Sequence, residues 1–86
     1  MAKKVGSSKK VVIYTASYCP YCRAAKEFLK SKAVPFEEID VTDDDALREK
    51  LVAMTGRETV PQIFVGDTLV GGYDDLVAFY RSGKKI

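Results

Sequence analysis

The sequence predicts an α/β domain, a four-stranded mixed sheet flanked by three helices in the order β-α-β-α-β-β-α. Three observations carry this. Short runs at residues 11–14, 36–41, 62–65 and 68–71 have the length and β-branched or aromatic content of strands. Apolar residues recur at helical spacing in three segments between and after them. The last two runs flank Gly66-Asp67, a two-residue hairpin signal. The first two runs are separated by a helix and so pair in parallel through a right-handed crossover.

The elements follow in order. Val11-Val12-Ile13-Tyr14 is an uninterrupted apolar run, which predicts a strand buried on both faces. Pro20 suits the first turn of a helix, where its missing N–H is not needed. Cys22, Ala25, Phe28 and Leu29 then form one face, with Arg23, Lys26, Glu27 and Lys30 on the others. Pro35 ends the connection, and Phe36 to Val41 reads as the second strand. Thr42-Asp43-Asp44-Asp45 resembles a capping-box start, and acids favour a helix N-terminus. Leu47, Leu51 and Met54 make the apolar stripe of that helix, and Gly56 stops it. After the hairpin, Asp74-Asp75 start a last helix carrying Leu76, Val77, Phe79 and Tyr80. Gly83 closes it, and Lys84-Lys85 suit its C-terminal end.

Eighty-six residues make one small domain, and a hydrophobic fraction of 47% is that of a packed globule. Residues 1–9 form a basic polar tail, and residues 10–86 form the domain. The tail lacks the apolar stretch of a signal peptide, and no run is long enough to span a membrane. A net charge of +2 does not argue for nucleic acid, and the lysines at both ends read as solvated tails. The expected setting is the reducing cytoplasm, and the expected state is a monomer. There is no histidine, so the commonest general base and metal ligand is missing.

The chain has two cysteines, Cys19 and Cys22, in the run Cys19-Pro20-Tyr21-Cys22. They are too close in sequence to staple distant segments. A CxxC pair at a strand-to-helix junction points instead to thiol–disulfide exchange. Cys19 falls just before the first helical turn, where unpaired N–H groups and the helix dipole favour negative charge on sulfur. Cys22 lies one turn further in and is expected to be the less exposed thiol. After Cys19 attacks a substrate disulfide, Cys22 is within reach to resolve the mixed disulfide. Two other readings of the pair exist. Zinc or an iron–sulfur cluster needs four ligands, so a metal would require a second chain or an external thiol. Two inert buried cysteines are the other.

Three motifs in order resemble a dithiol glutaredoxin: Cys19-Pro20-Tyr21-Cys22, then Thr59-Val60-Pro61, then Gly71-Gly72 followed by Asp74-Asp75. The resemblance runs from about residue 10 to residue 83. Thioredoxins usually carry Gly-Pro between the cysteines, and cluster-carrying monothiol relatives have serine in the last position. The resemblance implies a thioredoxin-like fold and use of glutathione as co-substrate, with no tightly bound cofactor. It makes Cys19 the nucleophile and Cys22 the resolving thiol. It makes Pro61 a cis-proline that presents the backbone of Val60, beside Thr59, to the cysteinyl part of glutathione. Without the resemblance, Pro61 reads as a trans proline starting an edge strand.

Tyr21 would flank the glutathione groove, or is simply a surface aromatic. Gly72 would allow close approach of the chain, and the N–H of Asp74 would meet the γ-glutamyl carboxylate. Asp75 would pair with the ligand's α-amino group, or is a helix cap. Arg57 would meet the glycyl carboxylate, or is an exposed arginine after a helix stop. One position departs from the pattern. Many glutaredoxins carry a lysine three residues before the first cysteine, where this chain has Ala16. That leaves Lys10 or Arg57 to supply the cation from elsewhere. Tyr18 either covers part of the site or is a surface residue.

The function these residues imply is glutathione-dependent reduction of glutathionylated proteins and protein disulfides. Two rivals stand beside it: a glutaredoxin-like redoxin reduced by thioredoxin reductase, and a dimer bridging an iron–sulfur cluster through Cys19 and two glutathiones. Pro20 stiffens the active-site turn and weighs against the second.

Overall fold

A computed structural model describes residues 10–83. Residues 1–9, and Lys84-Lys85 with the terminal residue, lie outside the described residues. The elements are β1 (Val11–Thr15), α1 (Pro20–Ser31), β2 (Glu37–Asp40), α2 (Asp45–Thr55), β3 (Gln62–Val65), β4 (Thr68–Gly71) and α3 (Tyr73–Arg81). The order is the expected one.

The sheet order is β2-β1-β3-β4. β1 and β2 are parallel, with Ile13 opposite Glu38, and α1 makes the crossover between them. β3 is antiparallel to β1, with Ile13 opposite Ile63, and β4 is antiparallel to β3. Gly66, at φ 61°, takes the positive-φ place at the start of the hairpin turn.

Strand alternation sorts the sheet into two faces. Val11, Ile13, Ile63 and Val65 point to one side and pack with Ala25 and Leu29 of α1 and Leu76 of α3. Leu29 and Leu76 are wholly buried. Each contributes about 1.5–3 kcal/mol by leaving water. Val12, Tyr14 and Phe64 point to the other side, toward Met54 of α2. Tyr14 and Phe64 meet edge to face at 5.7 Å.

This corrects two expectations. β1 is buried on one face only, because Val12 and Tyr14 are half-covered. Two helices cover the first face and one short helix covers the second. For the same reason Met54 is not a core residue: it is 56% exposed, and Leu51 is the buried residue of α2.

Element ends also shift slightly. The second strand is shorter than expected, and Phe36 lies before it, packed on the core. α2 is capped by Asp44, whose carboxylate accepts the Leu47 N–H at 3.0 Å. Thr42 instead donates its N–H to Asp40 at 2.8 Å, closing a turn after β2. α3 begins at Tyr73, one residue early, because Gly72 takes the capping place. No described helix is long and apolar enough to cross a membrane.

Candidate active site

β1 delivers the chain to a turn at residues 16–18, and Cys19 then caps α1. Its own N–H donates to Ala16 O at 3.1 Å, which fixes the turn. Pro20 occupies the first helical position and lends its preset φ to the helix start. The Cys22 N–H donates to Cys19 Sγ at 3.2 Å. A sulfur in the capping position thus accepts one of the helix's unpaired donors. On its other side the Cys19 thiol donates to the Val60 carbonyl at 3.4 Å.

Cys19 is partly exposed and Cys22 is 2% exposed, and both are free thiols. Burial pushes the Cys22 thiol up to about 12, and its hydrogen bond with Cys19 adds to the rise. The backbone contact to Ala16 and the charge of Lys26 pull the other way. At neutral pH Cys22 therefore holds its proton. Lys26 is fixed by Glu38 at 3.0 Å, and Glu38 also accepts from the buried Thr15 hydroxyl at 2.7 Å.

The Val60–Pro61 peptide bond is cis, as the motif implied. Pro61 is buried, Thr59 is exposed and Val60 is half-buried. Gln62 holds this loop from below. Its side-chain amide donates to the carbonyls of Arg57 at 3.1 Å and Thr59 at 3.0 Å. Gln62 is 1% exposed, and no motif had marked it. The one cue available was an amide side chain inside an otherwise apolar run.

The start of α3 forms the second part of the site. Asp75 Oδ2 accepts the Gly72 N–H at 3.1 Å and an Arg57 N–H at 3.3 Å. The Gly72 amide first, and then Arg57, holds the Asp75 carboxyl below its usual range. Asp74 is exposed in the same turn. The two parts touch: a Cβ placed on Gly72 would lie 3.5 Å from Pro61 O, an ordinary contact. The tight place is Gly71, at φ 123°, where a Cβ would fall 2.6 Å from Asp75 Cγ. Close packing thus requires glycine at 71 more than at 72. Tyr21 is 61% exposed, and its ring lies 6.2 Å from that of Tyr73.

The expected residues therefore form two linked groups. One is Cys19, Cys22, Val60 and Pro61, and the other is Gly72, Asp75 and Arg57. Neither substitute cation sits free. Lys10 is at the far end of β1, paired with Glu37 at 2.7 Å, and Arg57 is paired with Asp75. A groove of about 420 Å³ runs between α2 and the 57–60 loop, and Arg48 lines it beside Thr59 and Val60. Sequence reasoning had not marked Arg48.

This fold, with a dithiol at the head of α1, defines a thioredoxin-like thiol–disulfide oxidoreductase. The glutaredoxin family model matches residues 11–70. A glutaredoxin of Pseudomonas aeruginosa is 51% identical over 74 residues, which are 86% of this chain and 88% of that protein. Glutaredoxin 3 of Escherichia coli is 47% identical over 73 residues, 85% of this chain and 88% of its own. Among solved structures, the buckwheat glutaredoxin–glutathione complex superposes with a TM-score of 0.83 at 30% identity. It covers 91% of this chain and 74% of its own. The solution structure of the Brucella melitensis glutaredoxin gives 0.80 at 47% identity, covering 92% and 86%. The chain belongs to the glutaredoxin family.

Proposed function

We propose that this enzyme uses glutathione to reduce glutathione mixed disulfides and protein disulfides. The observation that carries the reading is the placement of Cys19 Sγ. It lies between the Cys22 N–H and the Val60 carbonyl, at 3.2 and 3.4 Å. A cysteine-containing peptide laid along Val60 would bring its own sulfur to that point. The match of the fold to a relative solved with glutathione supports the same ligand.

In the one-thiol route, the Cys19 thiolate attacks the glutathione sulfur of a glutathionylated protein. A Cys19–glutathione disulfide forms, and the protein thiolate leaves and takes up a proton. A second glutathione thiolate then attacks the bound glutathione sulfur. Oxidised glutathione leaves and the Cys19 thiolate returns. In the two-thiol route, Cys19 attacks a protein disulfide. Cys22 gives its proton to the first protein thiolate released and attacks Cys19 Sγ; the second protein sulfur leaves as a thiolate, takes up a proton from solvent, and the reduced protein departs. Two glutathiones then reduce the Cys19–Cys22 disulfide and leave as oxidised glutathione.

Thr59, Val60 and Pro61 would hold the cysteinyl part, with Tyr21 along one wall. Gly72 would let the ligand approach closely, the N–H of Asp74 would meet the γ-glutamyl carboxylate, and Asp75 the α-amino group. Arg48, rather than Arg57, would face the glycine end. Both thiols and these contacts are on one chain, so a monomer suffices. The reduced glutathione pool of the cytoplasm is its setting.

The test is direct trapping. Cys22→Ser protein mixed with oxidised glutathione should gain one glutathione, mapped to Cys19 by mass spectrometry. A protein that stays unmodified, or is modified elsewhere, contradicts the reading.

A further inference from the structure

The two arginines lining the groove differ in how they are held. Arg57 is paired with the Asp75 carboxylate. Arg48 Nη1 donates to the phenol oxygen of Tyr18 at 2.8 Å. The ion pairs among the described residues are Lys10–Glu37, Lys26–Glu38 and Arg57–Asp75, so none neutralises Arg48. Asp45, Glu49 and Glu58 line the same groove. Asp45 adds to the rise in the Arg48 pKa without pairing with it, and the Tyr18 hydroxyl is the larger cause.

A neutral phenol acceptor has a distinct consequence. It occupies one of five guanidinium donors and leaves the positive charge and the remaining donors available. Tyr18 also occupies a telling place: it directly precedes Cys19 and is 62% exposed. The hydrogen bond ties the active-site turn to α2, across 30 positions of sequence.

The direction of the ligand supplies the rest, and here the inference rests on the glutathione reading above. Glutathione has a carboxylate at each end and its sulfur in the middle. With the sulfur at Cys19 and the γ-glutamyl end at the start of α3, the glycine end runs the other way. It enters the groove beside Thr59 and Val60, where Arg48 stands. Ala16, buried and uncharged, supplies no cation there.

We propose that Tyr18 is a positioning residue for substrate selection, whose phenol oxygen holds the Arg48 guanidinium in place for the glycine carboxylate of glutathione bound at Cys19. Tyr18 touches neither the reacting sulfurs nor the ligand in this account. It sets where the cation waits.

The experiment compares wild type with Tyr18→Phe, which keeps the ring and removes only the acceptor. Two substrates are used: a mixed disulfide of glutathione, and the same disulfide made with γ-glutamylcysteine, which lacks the glycine. On the glutathione substrate, Tyr18→Phe should raise KM roughly three- to tenfold with kcat unchanged. On the γ-glutamylcysteine substrate, wild type and variant should coincide. An unchanged KM on the first substrate overturns the proposal. So does an equal loss on both, since Tyr18 would then act on Cys19 and not on the carboxylate. A wild type inert toward both disulfides overturns the glutathione reading itself and the inference with it.

Discussion

The Cys19 thiol and the Val60 carbonyl meet at 3.4 Å across 41 positions of sequence. That contact joins the nucleophile at the head of α1 to the loop that precedes β3. Gln62 steadies the loop from within the core. The reactive sulfur is therefore placed by two elements rather than by the helix alone.

The roles proposed for the two thiols can be separated by mutation. Cys19→Ser should abolish both activities. Cys22→Ser should retain removal of glutathione from a glutathionylated protein, since that cycle needs one thiol, and should lose reduction of protein disulfides by the two-thiol route. Paired assays with the two substrate types check this. Loss of both activities in Cys22→Ser would reverse the assignment.

Asp75 accepts from both Gly72 and Arg57. Asp75→Ala frees Arg57 and removes the carboxylate proposed to meet the ligand's α-amino group. The expected loss in kcat/KM for a glutathione mixed disulfide is about tenfold or more, the scale of a charge-assisted hydrogen bond. Steady-state kinetics at several glutathione concentrations measure it. Unchanged kinetics would leave Asp75 as a helix cap alone.

The neighbouring glycines should differ. Gly71→Ala forces a side chain into a left-handed conformation and against Asp75, and should destabilise by about 1–3 kcal/mol. Gly72→Ala meets only an ordinary contact and should cost less than Gly71→Ala. Urea midpoints of the two variants provide the comparison. Equal midpoints would show that both the backbone at residue 71 and the Asp75 carboxylate adjust freely, contrary to this account.

Stability at high pH should report on Cys22. Its thiol rises from an ordinary value of 9.0 to about 12 on folding. The unfolded chain thus loses this proton first, and ionisation favours unfolding. The contribution is whole below about pH 9 and is lost as pH rises toward 12. Reduced wild type should therefore lose stability across that window more steeply than Cys22→Ser. The comparison cancels the tyrosines and lysines that titrate in the same range. Parallel curves would contradict the assignment.

Much of this was legible in the sequence because it is local. The hairpin follows from Gly66-Asp67 between two apolar runs, and the place of Cys19 follows from Pro20 and the helical spacing after it. What escaped is not local. Tyr18 and Arg48 join residues on separate elements, and their contact leaves no pattern in the chain. Gln62 looks like an ordinary strand residue until the loop above it folds back onto its amide. The choice between Gly71 and Gly72 depends on where the Asp75 side chain turns. Met54 has helical spacing yet stays exposed, because only one helix covers that face of the sheet.

The central claim is that glutathione is the electron donor. The most direct measurement is turnover of a glutathione mixed disulfide with glutathione and glutathione reductase, run beside thioredoxin reductase with its reductant and no glutathione. The account predicts turnover in the first assay and none in the second. Turnover with thioredoxin reductase alone would mean that the donor is different, and that Asp75 and Arg57 serve only to hold the start of α3.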